Sequence, residues 1–228
     1  MSKIFVTGDV HRTEIGKFYK FADNHKDLTK EDYLIVAGDF GAIWDINRDN
    51  QILSLYNDFP WTTLWVDGNH ENFDLLEQYD SEEWHGGLVQ RNNKSVIHLM
   101  RGQVYTIDDV TLFTMGGATS IDKQYRVEGT SWWKQEMPSN EELDTALQNL
   151  KNHNMAVDYV ITHCCGNICK NRIDHMFMEH HDLLNNWFDY LEHDEKLQFK
   201  KWFFGHYHVD RDIDERHRCL YDNILQIK

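Results

Sequence analysis

The chain has 228 residues, 41% of them hydrophobic and 13% aromatic, and a formal net charge of −15. That supplies a substantial core, and the acidity excludes broad binding to duplex nucleic acid, which needs a basic face to displace counterions. No stretch approaches the ~20 apolar residues of a membrane span, and MSKIFVTGDV lacks a long apolar run after a basic start, so a cytoplasmic protein without membrane partners is expected. Only Pro60 and Pro138 are prolines, and no linker, low-complexity tract or repeat interrupts the chain, so one domain over residues 1–228 is expected. Three of the four cysteines, Cys164, Cys165 and Cys169, crowd into HCCGNIC, and Cys219 stands apart. This is a poor disulfide framework and not the spacing of a zinc knuckle, so reduced, packed thiols are expected.

The elements alternate in chain order. KIFVTGD (Lys3–Asp9) is a short β-rich run ending in Gly-Asp. Ile15, Phe18, Tyr19 and Ala22 then follow the i, i+3, i+4, i+7 pattern of a helix with one buried face. YLIVAGD (Tyr33–Asp39) and TTLWVDGN (Thr62–Asn69) are further strands with ligand-type residues at their ends. The centre, residues 95–117, is cut by Arg-Gly and Asp-Asp into short β-rich pieces and reads as antiparallel hairpins. Ser139 and Glu142 form a capping box ahead of the stripe Leu143, Ala146, Leu147 and Leu150. VDYVITH (Val157–His163) ends in His. Leu183, Leu184, Trp187, Phe188 and Leu191 make a third helical stripe, and KWFFGHYH (Lys201–His208) ends in Gly-His-x-His. The strand runs are almost continuously apolar, as in sheets covered on both faces, and the class is α/β.

Sites in such sheets form at the carboxyl ends of strands. The five strand ends can therefore bring Asp9, His11, Asp39, Asn69, His70, His163, His206 and His208 together. Two carboxylates, an amide and several imidazoles suit a pair of divalent transition metals better than calcium or magnesium. Two dications exceed the charge of two aspartates, so such a centre stays positive and can hold a phosphate. A carboxylate such as Asp39 can bridge metals ~3.5–4 Å apart.

GDVH (Gly8–His11), GDFG (Gly38–Gly41), GNHE (Gly68–Glu71), TH (Thr162–His163) and GHYH (Gly205–His208) resemble, in order, the five blocks of the calcineurin-like metallophosphoesterase family. The resemblance spans most of the chain. It implies two packed mixed β-sheets flanked by helices, a four-layer sandwich. It implies that Asp9, His11 and His208 bind one metal, that Asn69, His163 and His206 bind the second, and that Asp39 bridges them. Hydroxide between the metals would attack phosphorus in line, and His70, off the metals, would protonate the leaving group as general acid. Manganese or iron is expected ahead of zinc. Glu71 reads as a first-turn carboxylate of the following helix, favourable for its dipole.

The pattern departs from the protein serine/threonine phosphatases of this superfamily. No Asp-Arg-Gly follows the second block, and no Arg precedes the third. A small-molecule or nucleotide-derived phosphate ester is therefore expected ahead of a phosphoprotein. A module that kept the fold and lost catalysis is the other alternative, disfavoured by the complete ligand set. Arg12 stands where the family usually has Gly, and with Arg126 it is a candidate phosphate contact. Trp132 or Trp133 could stack on a base or simply cover the sheet edge. Asp45 and Asp67 are candidate partners of His70. The remaining histidines, His175, His180, His181 and His217 among them, match no ligand spacing.

Overall fold

The computed structural model describes residues 1–12, 14–173 and 182–228, so His175, His180 and His181 lie outside the described residues. The first half runs β1 (Ile4–Thr7), α1 (Gly16–Asn24), β2 (Tyr33–Ala37), α2 (Ile46–Asp58), β3 (Thr62–Val66) and α3 (Phe73–Leu76). The centre is all strand: β4 (Ser81–Trp84), β5 (Gly87–Asn93), β6 (Val96–Leu99), β7 (Gln103–Ile107) and β8 (Val110–Met115). The second half adds α4 (Asn140–Asn152), β9 (Tyr159–Thr162), α5 (Asn167–Ile173), α6 (Leu183–His193), β10 (Lys201–Phe204), β11 (Arg211–Asp212), β12 (His217–Cys219) and β13 (Leu225–Gln226).

These strands form two mixed sheets, ordered β13-β1-β2-β3-β6-β5-β4 and β11-β12-β10-β9-β8-β7. Side-chain parity explains their packing, because successive residues of a strand point to opposite faces. In β2, Tyr33, Ile35 and Ala37 face the second sheet with Ile161 and Phe203, while Leu34 and Val36 pack against Phe18, Leu53 and Tyr56 of the helices. The second sheet mirrors this. Phe203 faces the first sheet, and Trp202 and Phe204 meet Leu143, Leu184 and Phe188 on α4 and α6. The result is four layers, helix–sheet–sheet–helix, as the family resemblance implies. Each fully buried Leu, Ile, Val or Phe contributes about 1.5–3 kcal/mol relative to exposure.

The central hairpins are present, β5 with β6 and β7 with β8 antiparallel, and they join the two sheets. β6 pairs in parallel with β3, and β8 in parallel with β9, so the turn at 100–102 carries the chain from one sheet to the other. Tyr19 and Leu183 fall off their helical stripes, at 50% and 55% exposure. Each is adjacent to a residue that takes the core position, Phe18 and Leu184, and a helix face buries only one of such a pair. The capping box is present, with Ser139 Oγ accepting from Glu142 N at 3.2 Å and Glu142 Oε2 accepting from Ser139 N at 2.7 Å. Ser139→Ala is expected to lower the unfolding free energy by about 1 kcal/mol in urea titrations.

Candidate metal centre

The loops after β1, β2 and β3 of one sheet and after β9 and β10 of the other meet at a single place. Ligand atoms of Asp9, His11 and His208 lie within 4.8 Å of one another, as do those of Asp9, Asp39 and His163. Within the first group His11 Nε2 is 2.9 Å from His208 Nε2, and Asp9 Oδ1 is 4.0 and 3.8 Å from them. In the second, His163 Nε2 is 3.3 Å from Asp39 Oδ1 and 3.1 Å from Asn69 Oδ1. Asp39 belongs to both neighbourhoods, since its Oδ2 is 3.7 Å from His11 Nε2. The His206 ring packs 4.9 Å from that of His163, centroid to centroid, and its backbone N–H donates to both oxygens of Asp9 at 3.0 and 2.9 Å.

Local backbone makes this convergence possible. His11, Arg12, Asp39, His206 and His208 all adopt positive φ, between 45° and 68°. Such conformations cost of order 1–3 kcal/mol each and persist only where surrounding contacts enforce them. Here the enforcing contacts run between loops: Val10 N and His11 N both donate to the Asp39 carbonyl, and Gly205 N donates to that of His163. Two glycines are required by close approach. A Cβ on Gly38 would lie 1.9 Å from His163 Nδ1, and one on Gly68 would lie 2.0 Å from Asp39 Oδ1.

The electrostatics fit divalent cations. Asp9 and Asp39 are 0% and 1% exposed. Among the described residues, their only ion-pair partners are imidazoles. Burial pushes the Asp9 carboxyl up to about 6, against the lowering effect of a charged His163. The Asp39 carboxyl is held below the ordinary range, the imidazole charges of His163, His70 and His11 outweighing burial. His163 is the reverse case: burial opposes its charge, yet Asp39 and Asp9 lift it to about 9. Its Nδ1 lies 3.0 Å from the Ala37 carbonyl, which fixes Nδ1–H as the donor and aims Nε2 at two oxygens. Asn69 is aimed in the same way, with Nδ2 donating to Ser120 Oγ at 3.0 Å and Oδ1 turned inward. Three lone-pair atoms then face one another, and a proton or a metal ion must sit among them. Burial lowers His206 to about 3 and His11 to about 4, so both rings are neutral donors at pH 7.

Residues 2–210 match the family model of the calcineurin-like phosphoesterases. The chain belongs to that family. It is a binuclear metal-dependent family, and the two donor groups suit such a requirement. No curated protein matches the chain. Among solved structures, a protein of unknown function from Aquifex aeolicus is similar over 72% of this chain and 81% of its own, at 16% identity and a TM-score of 0.30, too loose a likeness to carry an argument.

Around this candidate centre the remaining candidate residues divide. The His70 backbone N–H donates to Asp39 Oδ1 at 2.8 Å, while its ring stands 5.2 Å from that of His11, with Nε2 3.3 Å from Arg126 Nη2. Arg126 arrives from the polar segment between β8 and α4 and is paired with Asp122 at 2.8 Å. Arg12 lines the same cavity as His70 but commits Nη2 to buried Asp49 at 2.5 Å. Asp67, one proposed partner of His70, points elsewhere: Arg101 Nη2 is 2.6 Å away and His98 Nε2 3.2 Å. Asp45, the other, has Oδ2 3.7 Å from Arg48 Nε. Trp133 is core, 4% exposed, with Nε1 donating to Asp74 at 2.8 Å.

Three residues were not singled out for these roles from sequence. Trp44 lines the cavity with His11, Arg12 and His70, and the aromatic in GDFGAIWD was its only signal. Ser120 orients Asn69. Glu71 is not in a helical first turn, because α3 begins at Phe73 behind an Asn72 cap. It is fully buried, accepting from Phe40 N at 2.8 Å and Gly41 N at 3.1 Å, and so grips the loop that carries Asp39. Gly68→Ala is expected to displace Asp39 and weaken metal binding about 10- to 100-fold, as loss of ligand support does. Metal content after dialysis against graded chelator checks this, with far-ultraviolet circular dichroism unchanged.

Proposed function

We propose that the protein is a metal-dependent phosphoesterase that hydrolyses a small or nucleotide-derived phosphate ester, mono- or diester, with His70 as general acid. The observation that carries this reading is Asp39, whose oxygens face two separate imidazoles, His163 at 3.3 Å and His11 at 3.7 Å. In this reading Asp9, His11 and His208 hold one cation, Asn69, His163 and His206 hold the other, and Asp39 serves both. Manganese or iron is proposed ahead of zinc, although nitrogen and oxygen donors accept all three. When bound, the cations supply Lewis-acid charge to the phosphoryl oxygens and a water acidified toward neutrality.

The rest is the work of the chain's own groups. In the resting arrangement Arg126 donates toward His70 Nε2, which makes that nitrogen an acceptor. Burial lowers His70 below the ordinary histidine range and Arg126 lowers it further, while Asp39 opposes both. An arriving phosphate offers Arg126 a better acceptor. With the guanidinium drawn onto the anion, and negative charge added beside the imidazole, His70 takes up a proton at Nε2 and gives it to the departing oxygen. Support for a small substrate comes from the cavity bordered by His11, Arg12, Gly41, Trp44 and His70, about 270 Å³, with an indole on one wall able to stack on a base.

Metal-loaded protein assayed on an aryl phosphate monoester, the matching diester and then a nucleotide panel tests the reading; failure to hydrolyse any of them sinks it. His70→Ala is expected to lower kcat about 10²- to 10⁴-fold with the fold retained. Near-normal turnover of that variant would refute the general-acid role. Arg126→Ala should raise KM about 10- to 100-fold, the worth of a charged hydrogen bond. It should also move the alkaline limb of kcat/KM to higher pH, because a general acid loses activity as pH rises through its pKa, and removing the guanidinium raises that pKa. An unmoved limb with unchanged KM removes Arg126 from the site.

A further inference from the structure

A second group of metal-type donors lies among residues that the phosphoesterase reading does not use. Cys169 on α5, Glu192 on α6, Asp214 between β11 and β12, and His217 on β12 line one cavity of about 390 Å³. The Cys169 thiol, a carboxylate oxygen of Asp214 and a ring nitrogen of His217 lie within 4.8 Å of one another. Cys169 is a free thiol, and both it and His217 are 5% exposed.

The imidazole is oriented as a ligand would be. Its Nδ1 lies 2.9 Å from Asp214 Oδ1, an oxygen that also accepts from the backbone N–H groups of Arg216 and His217 at 2.9 Å. Burial opposes charge on this ring, yet Cys169 and Glu192 raise it to about 10; a metal that displaces the second proton leaves the remaining one on Nδ1 and the lone pair on Nε2. Nε2 is buried without a hydrogen-bond partner, although Glu192 Oε2 stands 3.1 Å away. The distance is right for an interaction and the direction is wrong for a hydrogen bond. Two arginines pair with the other oxygens of these carboxylates. Arg172 Nη1 is 2.8 Å from Asp214 Oδ2, and Arg216 Nη1 is 3.7 Å from Glu192 Oε1. Each leaves the oxygen nearer the ring, Asp214 Oδ1 or Glu192 Oε2, facing the imidazole.

We propose that Cys169, Glu192 and His217 bind a zinc ion, with Asp214 holding the imidazole from its far nitrogen. A carboxylate on the outer nitrogen of a ligand histidine is a common support in zinc sites. Thiolate, imidazole and carboxylate together are an ordinary donor set for zinc. The three ligands come from two helices and an edge-side strand, so the ion ties α5 and α6 to β12, and the cavity leaves its fourth position open. Binding also displaces the thiol proton.

Full-length protein loaded with cobalt(II) tests this. A thiolate-to-cobalt charge-transfer band in the near ultraviolet is expected in the wild type. It should persist in Asp39→Asn, where the binuclear centre is impaired, and vanish in Cys169→Ser. Zinc content should fall by about one ion per chain in Cys169→Ser and in His217→Gln, while hydrolysis of the aryl phosphate stays at the wild-type rate. Glu192→Gln, which preserves shape, should weaken zinc at this site about tenfold or more. Zinc should raise the thermal midpoint of Asp39→Asn but not that of Asp39→Asn combined with Cys169→Ser, both first shown to be folded by circular dichroism. Absence of the band in the wild type, or its survival in Cys169→Ser, overturns the proposal. So does a zinc content that none of the three substitutions changes, which would make the cluster an imidazolium clamp between two carboxylates and nothing more.

Discussion

Two carboxylates, Asp9 and Asp39, lie fully out of water within one small space, and among the described residues no lysine or arginine forms an ion pair with either. Such a pair costs several kcal/mol per charge unless something positive is placed between them. Among the described residues, imidazoles and backbone N–H groups meet them. Much of the surrounding geometry follows from this. Left-handed backbone at His11, Asp39, His206 and His208 turns the ligand atoms inward, and Gly38 and Gly68 leave the space into which His163 and Asp39 fit. The Ala37 carbonyl and Ser120 hydroxyl then orient His163 and Asn69, so that Nε2 and Oδ1 rather than Nδ1 and Nδ2 face the centre.

The centre also depends on how the sheets are joined. Asp9, Asp39 and Asn69 follow strands of one sheet, and His163, His206 and His208 follow strands of the other. The apolar layer between the sheets, including Ile35, Ala37, Ile161 and Phe203, sets the separation of these two half-sites. Crosslinks at the top complete the seam, with Ala37 meeting His163 and the Asp9 carboxylate meeting His206 N. A close-packed core resists compression. The distance between donors is thus held by residues that never touch substrate.

The polar segment between β8 and α4 has two duties. Ser120 faces inward and supports Asn69, while Arg126 reaches His70 at the mouth. Glu136, itself buried, accepts from Ser120 N at 3.0 Å and links these parts to the body of the fold, while Trp133 anchors the segment against Trp44. One segment therefore connects the orientation of a candidate metal ligand with the state of the proposed acid. The cluster around His217 lies on a different part of the chain and, with its thiol, has a different donor chemistry from the candidate centre at the strand ends.

Much of this architecture was legible in the sequence because its information is local. Strands that end in Gly-Asp, Gly-Asn-His or Gly-His-x-His carry their chemistry beside their own β pattern, and Ser139 and Glu142 sit one turn apart. Contacts between residues distant in the chain have no such signature. Nothing near Arg126 shows that it will meet His70, and nothing near Glu71 shows that it will bind the amides of Phe40 and Gly41 rather than begin a helix. Likewise Asp67 is adjacent to the third block, yet it is drawn to Arg101 and His98. The order of blocks along the chain determined the family and the candidate ligands. Only folding decided which charges became neighbours, because burial and direction, which set the strength of every polar contact here, are properties of the packed chain.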